Sequence, residues 1–343
     1  MRDEVPPSLA SDPVLLAELE RGGVVESQHR GYVALVDGEA DRQCHLGNLQ
    51  YVTFLRSSAK PFQALLLVTS GAADRFQFSD RELAIACGSH TGTAEHVSTV
   101  EGILQKIGLD RSALHCGRRN SAASVIQDNC SGKHAGMLAV CRHRDDPIAN
   151  YTAPGHPVQK SIIEIIAKLA ALPVENIRVA VDGCAAPTFA IPIARMARMF
   201  ARLVRSDPSL PVGLRNASQR IVGAMINHPQ MVAGDGELDT ELMKIAKGRI
   251  VVKSGAEGLF AVGVFPSPQW PTGAGMVFKI EDGSGRARPV VAVELLRQLN
   301  LLSPPAVEEL ACLFPSRLLN RSGEVVGSIR PMFQVATGPP NSF

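Results

Sequence analysis

Arg56-Ser57-Ser58-Ala59-Lys60-Pro61 stands where two kinds of sequence pattern meet. Before it, residues 47–55 alternate, with Tyr51, Thr53 and Leu55 set against Val52 and Phe54, and read as a strand. After it, residues 60–69 are apolar and end near Gly71, which reads as a helix. Pro61 suits the first turn of a helix that begins near Ser57. Further out, residues 24–37 form a second strand region with a polar stretch inside it. Asp37-Gly38 is a turn that would lay that region antiparallel to residues 47–55. Beyond residue 60 helical spacing dominates. Residues 93–107 carry a stripe of Val97, Val100, Ile103, Leu104 and Ile107, with Glu95 in the first turn and Gly108 after the end. Residues 132–141, 160–172, 187–204 and 214–226 also read as helices. Strands return at 179–181, 250–253, 259–265 and 276–280. Asp282-Gly283 is expected to turn the last of these back into a strand over 288–293, and the tail after Leu313, with Gly338, Pro339 and Pro340, reads as partly mobile. Strands at both ends around a helical middle predict an α+β fold, a layered α/β/α sandwich with the terminal strands in one sheet.

The composition narrows the class of function. A length of 343 residues suits one domain over 1–343, or two closely packed lobes sharing it. Lys and Arg number 35 and Asp and Glu 33, which leaves no basic excess for a nucleic acid. Aromatic residues are 5% with Trp270 alone of its kind, so a base-stacking platform is also unsupported. Seven cysteines do not make a disulfide framework and fit a reducing compartment. Residues 1–10 lack the basic start and apolar core of a secretory signal, and no apolar run reaches the roughly 18 to 20 residues of a membrane helix. The expectation is a cytoplasmic protein that binds neither nucleic acid nor membrane.

Four short stretches could carry chemistry. In the first, three residues along a helix bring Ser57 and Lys60 onto one face. A serine hydroxyl needs an adjacent base, and a lysine serves when burial or a nearby cation keeps it neutral. The bland alternative is an N-cap serine beside a surface lysine. The second, Val251-Val252-Lys253-Ser254-Gly255-Ala256-Glu257-Gly258, places Lys253 at a strand end. An early Ser-x-x-Lys with a late Lys-Ser/Thr-Gly is the order found in serine amidohydrolases of the penicillin-recognising type. The third, Cys87-Gly88-Ser89-His90, is a tight loop whose Ser89 could relay a proton or simply satisfy a turn. The fourth joins Asp128-Asn129-Cys130-Ser131-Gly132-Lys133-His134 to Val181-Asp182-Gly183-Cys184. Cys130 and Cys184 could share a zinc ion, Cys130 and His134 could form a thiol pair, or both cysteines could be buried small residues.

Together these motifs, with the opening Val25-Glu26-Ser27-Gln28-His29-Arg30-Gly31, resemble the rhizobial-type (class 3) L-asparaginases over about residues 24–330. The resemblance implies a fold like that of serine β-lactamases and glutaminases, a homodimer, and hydrolysis of L-asparagine to L-aspartate and ammonia. By motif, Ser57 and Lys60 match the family's nucleophile and its partner, and Ser89 and Lys253 a second Ser–Lys pair. Cys130, Lys133 and Cys184 match zinc ligands, the metal orienting substrate without supplying the nucleophile. Arg56, Asn129, His134 and Asp182 match positions around substrate or metal. Ser58 stands beside Ser57 as a competing hydroxyl. Alternatives of other kinds are a glutaminase or related serine amidohydrolase, and a zinc-binding module without catalysis.

Overall fold

The strand read over residues 24–37 forms over that whole length, and a strand absent from the sequence reading pairs with it. In the computed structural model, which describes residues 12–39, 43–118, 124–205 and 207–335, these are β1 (Val14–Arg21) and β2 (Val24–Asp37). β3 (Gln43–Leu46) and β4 (Val52–Phe54) follow, and a 3-10 turn, Arg56–Ala59, leads into α1 (Lys60–Thr69). The helical middle comprises α2 (Ala72–Arg75), α3 (Asp80–Ala86), α4 (Ala94–Lys106), α5 (Ser131–Arg144) and α6 (Pro157–Ala170). Two strands, β5 (Arg178–Val181) and β6 (Pro187–Pro192), precede α7 (Ile193–Arg205), α8 (Val212–Asn227), α9 (Pro229–Val232) and α10 (Leu238–Ala246). The chain closes with β7 (Ile250–Ser254), β8 (Leu259–Val264), β9 (Ala274–Ile280), α11 (Arg288–Gln298), α12 (Pro304–Leu313), β10 (Arg317–Leu319) and β11 (Val325–Pro331).

Eight strands form one antiparallel sheet in the order β10-β11-β1-β2-β9-β8-β7, with β3 added on β2. The expected union of the two ends of the chain in one sheet is therefore found, and the fold is of the α+β class. β8 and β9 are buried at every position, so both faces of the sheet centre are covered. α7 lies across β2, β8 and β9. Its close approach depends on Gly263 and Gly275, which are register partners; a Cβ on Gly275 would overlap the carbonyl oxygen of Ala197 on α7. β4, β6 and β5 make a separate three-stranded sheet.

Several local expectations are corrected. Residues 47–55 are not one strand beside β2. The neighbour of β2 is β3, which stops at Gly47 with φ of 71°; a turn closed on Asn48 then carries the chain to β4 in the small sheet. Residues 187–204 are not one helix: Pro187–Pro192 is a strand held between β4 and β5, and the helix starts at Ile193. The predicted strand at 288–293 is the start of α11. Its valines mislead, but Val291, Ala292, Leu295 and Leu296 are buried at helical spacing, and a proline sits in its first turn. Part of the tail read as mobile is β10 and β11, the latter paired with β1; Gly338 to Pro340 lie outside the described residues.

Two helices bring the candidate site together. α1 is buried from Lys60 to Leu67 and α5 from Ser131 to Cys141, so both are central helices covered on nearly every side over those stretches. They pack on each other, so the lysines in their first turns, Lys60 and Lys133, are carried into the core.

Candidate active site

Lys60, Lys133 and Lys253 are 1%, 4% and 0% exposed, a rare concentration of buried ammonium groups. Each has a distinct set of partners. Lys60 Nζ reaches the carbonyl oxygens of Gly88 at 2.7 Å and Asn129 at 2.9 Å, and Ser89 Oγ at 2.9 Å. As an ammonium it donates to all three. After losing one proton it keeps two N–H donors for the carbonyls, and its lone pair accepts the Ser89 O–H. The site therefore satisfies both protonation states. Burial pulls the Lys60 proton affinity down and the Lys133 and Lys253 charges pull the same way, while the Cys130 sulfur opposes them; the net effect favours the neutral amine.

Ser57 is half-buried, one turn before Lys60, and its hydroxyl has no hydrogen-bond partner among the described residues. Its neighbour Ser58 is fully buried and donates to the Leu55 carbonyl at 2.7 Å, so that hydroxyl is occupied by the backbone. Ser89 and Lys253 are not joined by a hydrogen bond among the described residues. Ser89 meets Lys60, and Lys253 Nζ donates to Asp239 Oδ2 and to the Ser254 carbonyl, both at 3.0 Å.

Arg56 opens the 3-10 turn with φ of 49°. Its Nε donates to Asp182 Oδ1 at 3.0 Å, one terminal nitrogen lies 2.9 Å from the same oxygen, and the other lies 3.9 Å from Glu257. Eight described non-glycine residues have positive φ. Gln77, Asp145, Ala171, Lys247 and Asn300 close helix C-termini, where that conformation is ordinary. The other three, Arg56, Ala185 and Glu257, belong to the chain around this guanidinium: Ala185 N–H donates to the Asp182 carbonyl, and Glu257 follows the Lys253 motif. Strain of about 1–3 kcal/mol at each gathers here.

Cys130, Lys133 and Cys184 also meet. Lys133 Nζ lies 3.0 Å from Cys184 Sγ, and Cys130 and Cys184 are each 6% exposed. The two cysteines are hydrogen-bonded to each other. The hydrogen bond from Cys184, with the Lys60 and Lys133 charges, outweighs burial and holds Cys130 well below the ordinary thiol value; Cys184 is pushed up by the same bond and by burial. Burial alone would strip Lys133 of its proton, but the two sulfurs hold it charged. A thiolate beside a second sulfur is a soft donor pair suited to zinc, and Lys133 would join it only after giving up its proton. No group of three or more His, Cys, Asp or Glu in metal-holding range occurs among the described residues, so the lysine is needed to complete the set.

His134 is fully buried and burial keeps its imidazole neutral, with the Lys133 and Lys60 charges adding to the effect. Its Nδ1 stands 2.7 Å from Tyr151 Oη, which also accepts the His115 N–H. Asn129 contributes its carbonyl to Lys60. Asp239, Tyr151 and Glu257 were not legible as site residues. Asp239 and Tyr151 lie outside the four stretches singled out in the sequence, and Glu257 stands in the second of them without an assigned role.

The sequence profile of the L-asparaginase II family matches residues 17–331. No curated protein matches the chain in sequence. Among solved structures it is similar to Mglu in its native form, at 14% identity and a TM-score of 0.44, covering 80% of this chain and 65% of that one. It is also similar to a probable glutaminase from Bacillus subtilis complexed with 6-diazo-5-oxo-L-norleucine, at 12% identity and a TM-score of 0.40, covering 79% of this chain and 84% of that one. A Bacillus subtilis glutaminase in covalent complex with 5-oxo-L-norleucine shares 11% identity at a TM-score of 0.39, covering 82% and 89%. The chain thus spans slightly less than two thirds of the length of Mglu. The family match runs from β1 to the end of β11 and includes every residue of the buried lysine cluster, so the chain belongs to the L-asparaginase II family.

Proposed function

We propose that the chain hydrolyses L-asparagine to L-aspartate and ammonia, with Ser57 as nucleophile and Lys60 as its base. The observation that supports this most is the unengaged Ser57 hydroxyl one turn from a buried lysine whose surroundings favour the neutral amine. Neutral Lys60 takes the Ser57 proton as Oγ bonds to the side-chain amide carbon. The amide C–N bond then breaks. The proton returns from Lys60 through Ser89, 2.9 Å away, to the departing nitrogen, leaving a β-aspartyl ester on Ser57. Water adds to that ester as Lys60 takes its proton, the ester C–O bond to Ser57 breaks, Lys60 returns the proton to Ser57 Oγ, and aspartate leaves. Arg56 suits the substrate α-carboxylate and Asp182 the α-ammonium group; both are already held together.

Zinc is part of the proposal. Cys130, Cys184 and deprotonated Lys133 would hold it, and when bound it would supply a positive charge that orients substrate. His134 and Asn129 complete the wall around substrate. The chain is expected to work as a homodimer in the cytoplasm; no helix among the described residues is long and apolar enough to cross a membrane. The test is ammonia release from asparagine by the purified protein and by Ser57→Ala. Activity in the first and none in the second is expected. Equal turnover would remove Ser57 from the mechanism, and release from glutamine alone would favour the glutaminase reading.

A further inference from the structure

Lys253 lies in β7, wholly buried, where an ammonium group must find compensation. It finds Asp239, 2% exposed, in the first turn of α10. Asp239 Oδ2 accepts three donors: Lys253 Nζ at 3.0 Å, the Ser254 N–H at 2.9 Å and the Ser254 hydroxyl at 2.9 Å. Three donors on one oxygen fix it as an anion. The Ser254 carbonyl takes a second N–H of Lys253, which leaves the third uncommitted among the described residues. β7 packs on the 3-10 turn that carries Ser57, so the strand holding Lys253 adjoins the element holding the nucleophile.

We propose that Asp239 is a positioning residue that anchors Lys253 through an ion pair between α10 and β7, fixing where its ammonium group stands in the site. This rests on the amidohydrolase reading above. The charged and titratable groups that reach Lys253 are Asp239 from α10, Lys60 from α1 and Cys87 from the end of α3. β8 has no ionisable side chain, the 3-10 turn offers only Arg56, which is paired to Asp182, and α8 carries Arg215 and Arg220. Asp239 is thus the one anion paired with Lys253 among the described residues. Its Oδ1 has no hydrogen-bond partner among the described residues, so Oδ2 carries all of its contacts.

The test uses the full chain grown with isotope-labelled lysine. A buried, hydrogen-bonded ammonium exchanges its protons slowly enough to give its own resonance at neutral pH, and the Lys253 signal is assigned by its disappearance in Lys253→Met. The wild-type protein is expected to show it, and Asp239→Asn to lose it. The same Asp239→Asn protein is expected to keep KM within about threefold and lose about 100-fold in kcat, the scale of one preorganised electrostatic group. Where Asp239→Asn does not fold, Asp239→Leu with Lys253→Met replaces the whole pair by apolar groups. That protein is expected to fold and remain inactive. No ammonium resonance in the wild type, an unchanged kcat in Asp239→Asn, or an active double variant would each overturn the inference. A wild type that shows the resonance but releases no ammonia from asparagine would remove the proposed function and leave the anchoring intact.

Discussion

Ser57 and Ser58 are chemically identical and one residue apart, and their surroundings divide them. Ser58 donates to Leu55 inside the core, while Ser57 stands half-buried with its oxygen unclaimed among the described residues. Ser57→Ala is therefore expected to abolish turnover with little change in melting temperature. Ser58→Ala is expected to keep turnover while losing about 1 kcal/mol in a denaturant titration, the worth of one buried hydrogen bond. Equal loss of turnover in both would leave the division without support. Lys60 gives a second expectation at this scale. Burial lowers its proton affinity below the ordinary lysine value of 10.5, and the mechanism needs it neutral. Activity should fall as pH drops and Lys60 takes up its proton, and the midpoint of that limb in kcat/KM should lie below the free-lysine value. A limb at or above that value would argue against Lys60 as base.

Between elements, the closest joints are the glycine seat of α7 on the sheet and the α10–β7 ion pair. Gly275→Ala would drive a methyl group into the Ala197 carbonyl and push α7 off β9; a loss of about 3 kcal/mol or more is expected in chemical unfolding, and a neutral result would contradict the packing. Asp239 carries a pH signature. Burial would raise its proton affinity, but the Lys253 charge and the Ser254 donors prevail and hold it below the ordinary 3.8. A carboxylate depressed in the folded state contributes stability above its unfolded value and loses it as pH falls through the folded one. The wild type should therefore lose melting temperature more steeply below about pH 4 than the Asp239→Leu/Lys253→Met variant. Parallel curves would mean that the pair contributes nothing. This is also the scale at which the sequence was least legible. Period and turn residues located α1, α4, α5, α6, α8 and β7 to β9, because each is long or flanked by clear breaks. They failed where valine-rich α11 imitated a strand, and where Pro187–Pro192 continued into α7 without a glycine to mark the join. The motif residues Ser57, Lys60, Ser89, Cys130, Lys133 and Cys184 were visible. Which of them pair was not, since Lys60 turns to Ser89 and Lys253 to Asp239 through contacts distant in sequence.

Across the whole molecule, the two ends of the chain meet in one sheet. β11 pairs with β1, and β1 with the first half of β2. A chain ending after Leu313 would leave one edge of β1 unpaired. It is expected to melt lower and be cut faster by protease than the full chain, whereas a dispensable tail would show no difference. The same sheet carries Lys253 at its far edge, where β7 and β8 pack on the 3-10 turn that carries Ser57. The central claim concerns which atom becomes acylated. The most direct measurement is an acid quench of the enzyme turning over asparagine, followed by peptide mass analysis. A β-aspartyl ester on Ser57 is expected, absent in Ser57→Ala and persistent in Ser58→Ala. An aspartyl adduct on Ser58 or Ser89, with Ser57 unmodified, would contradict it.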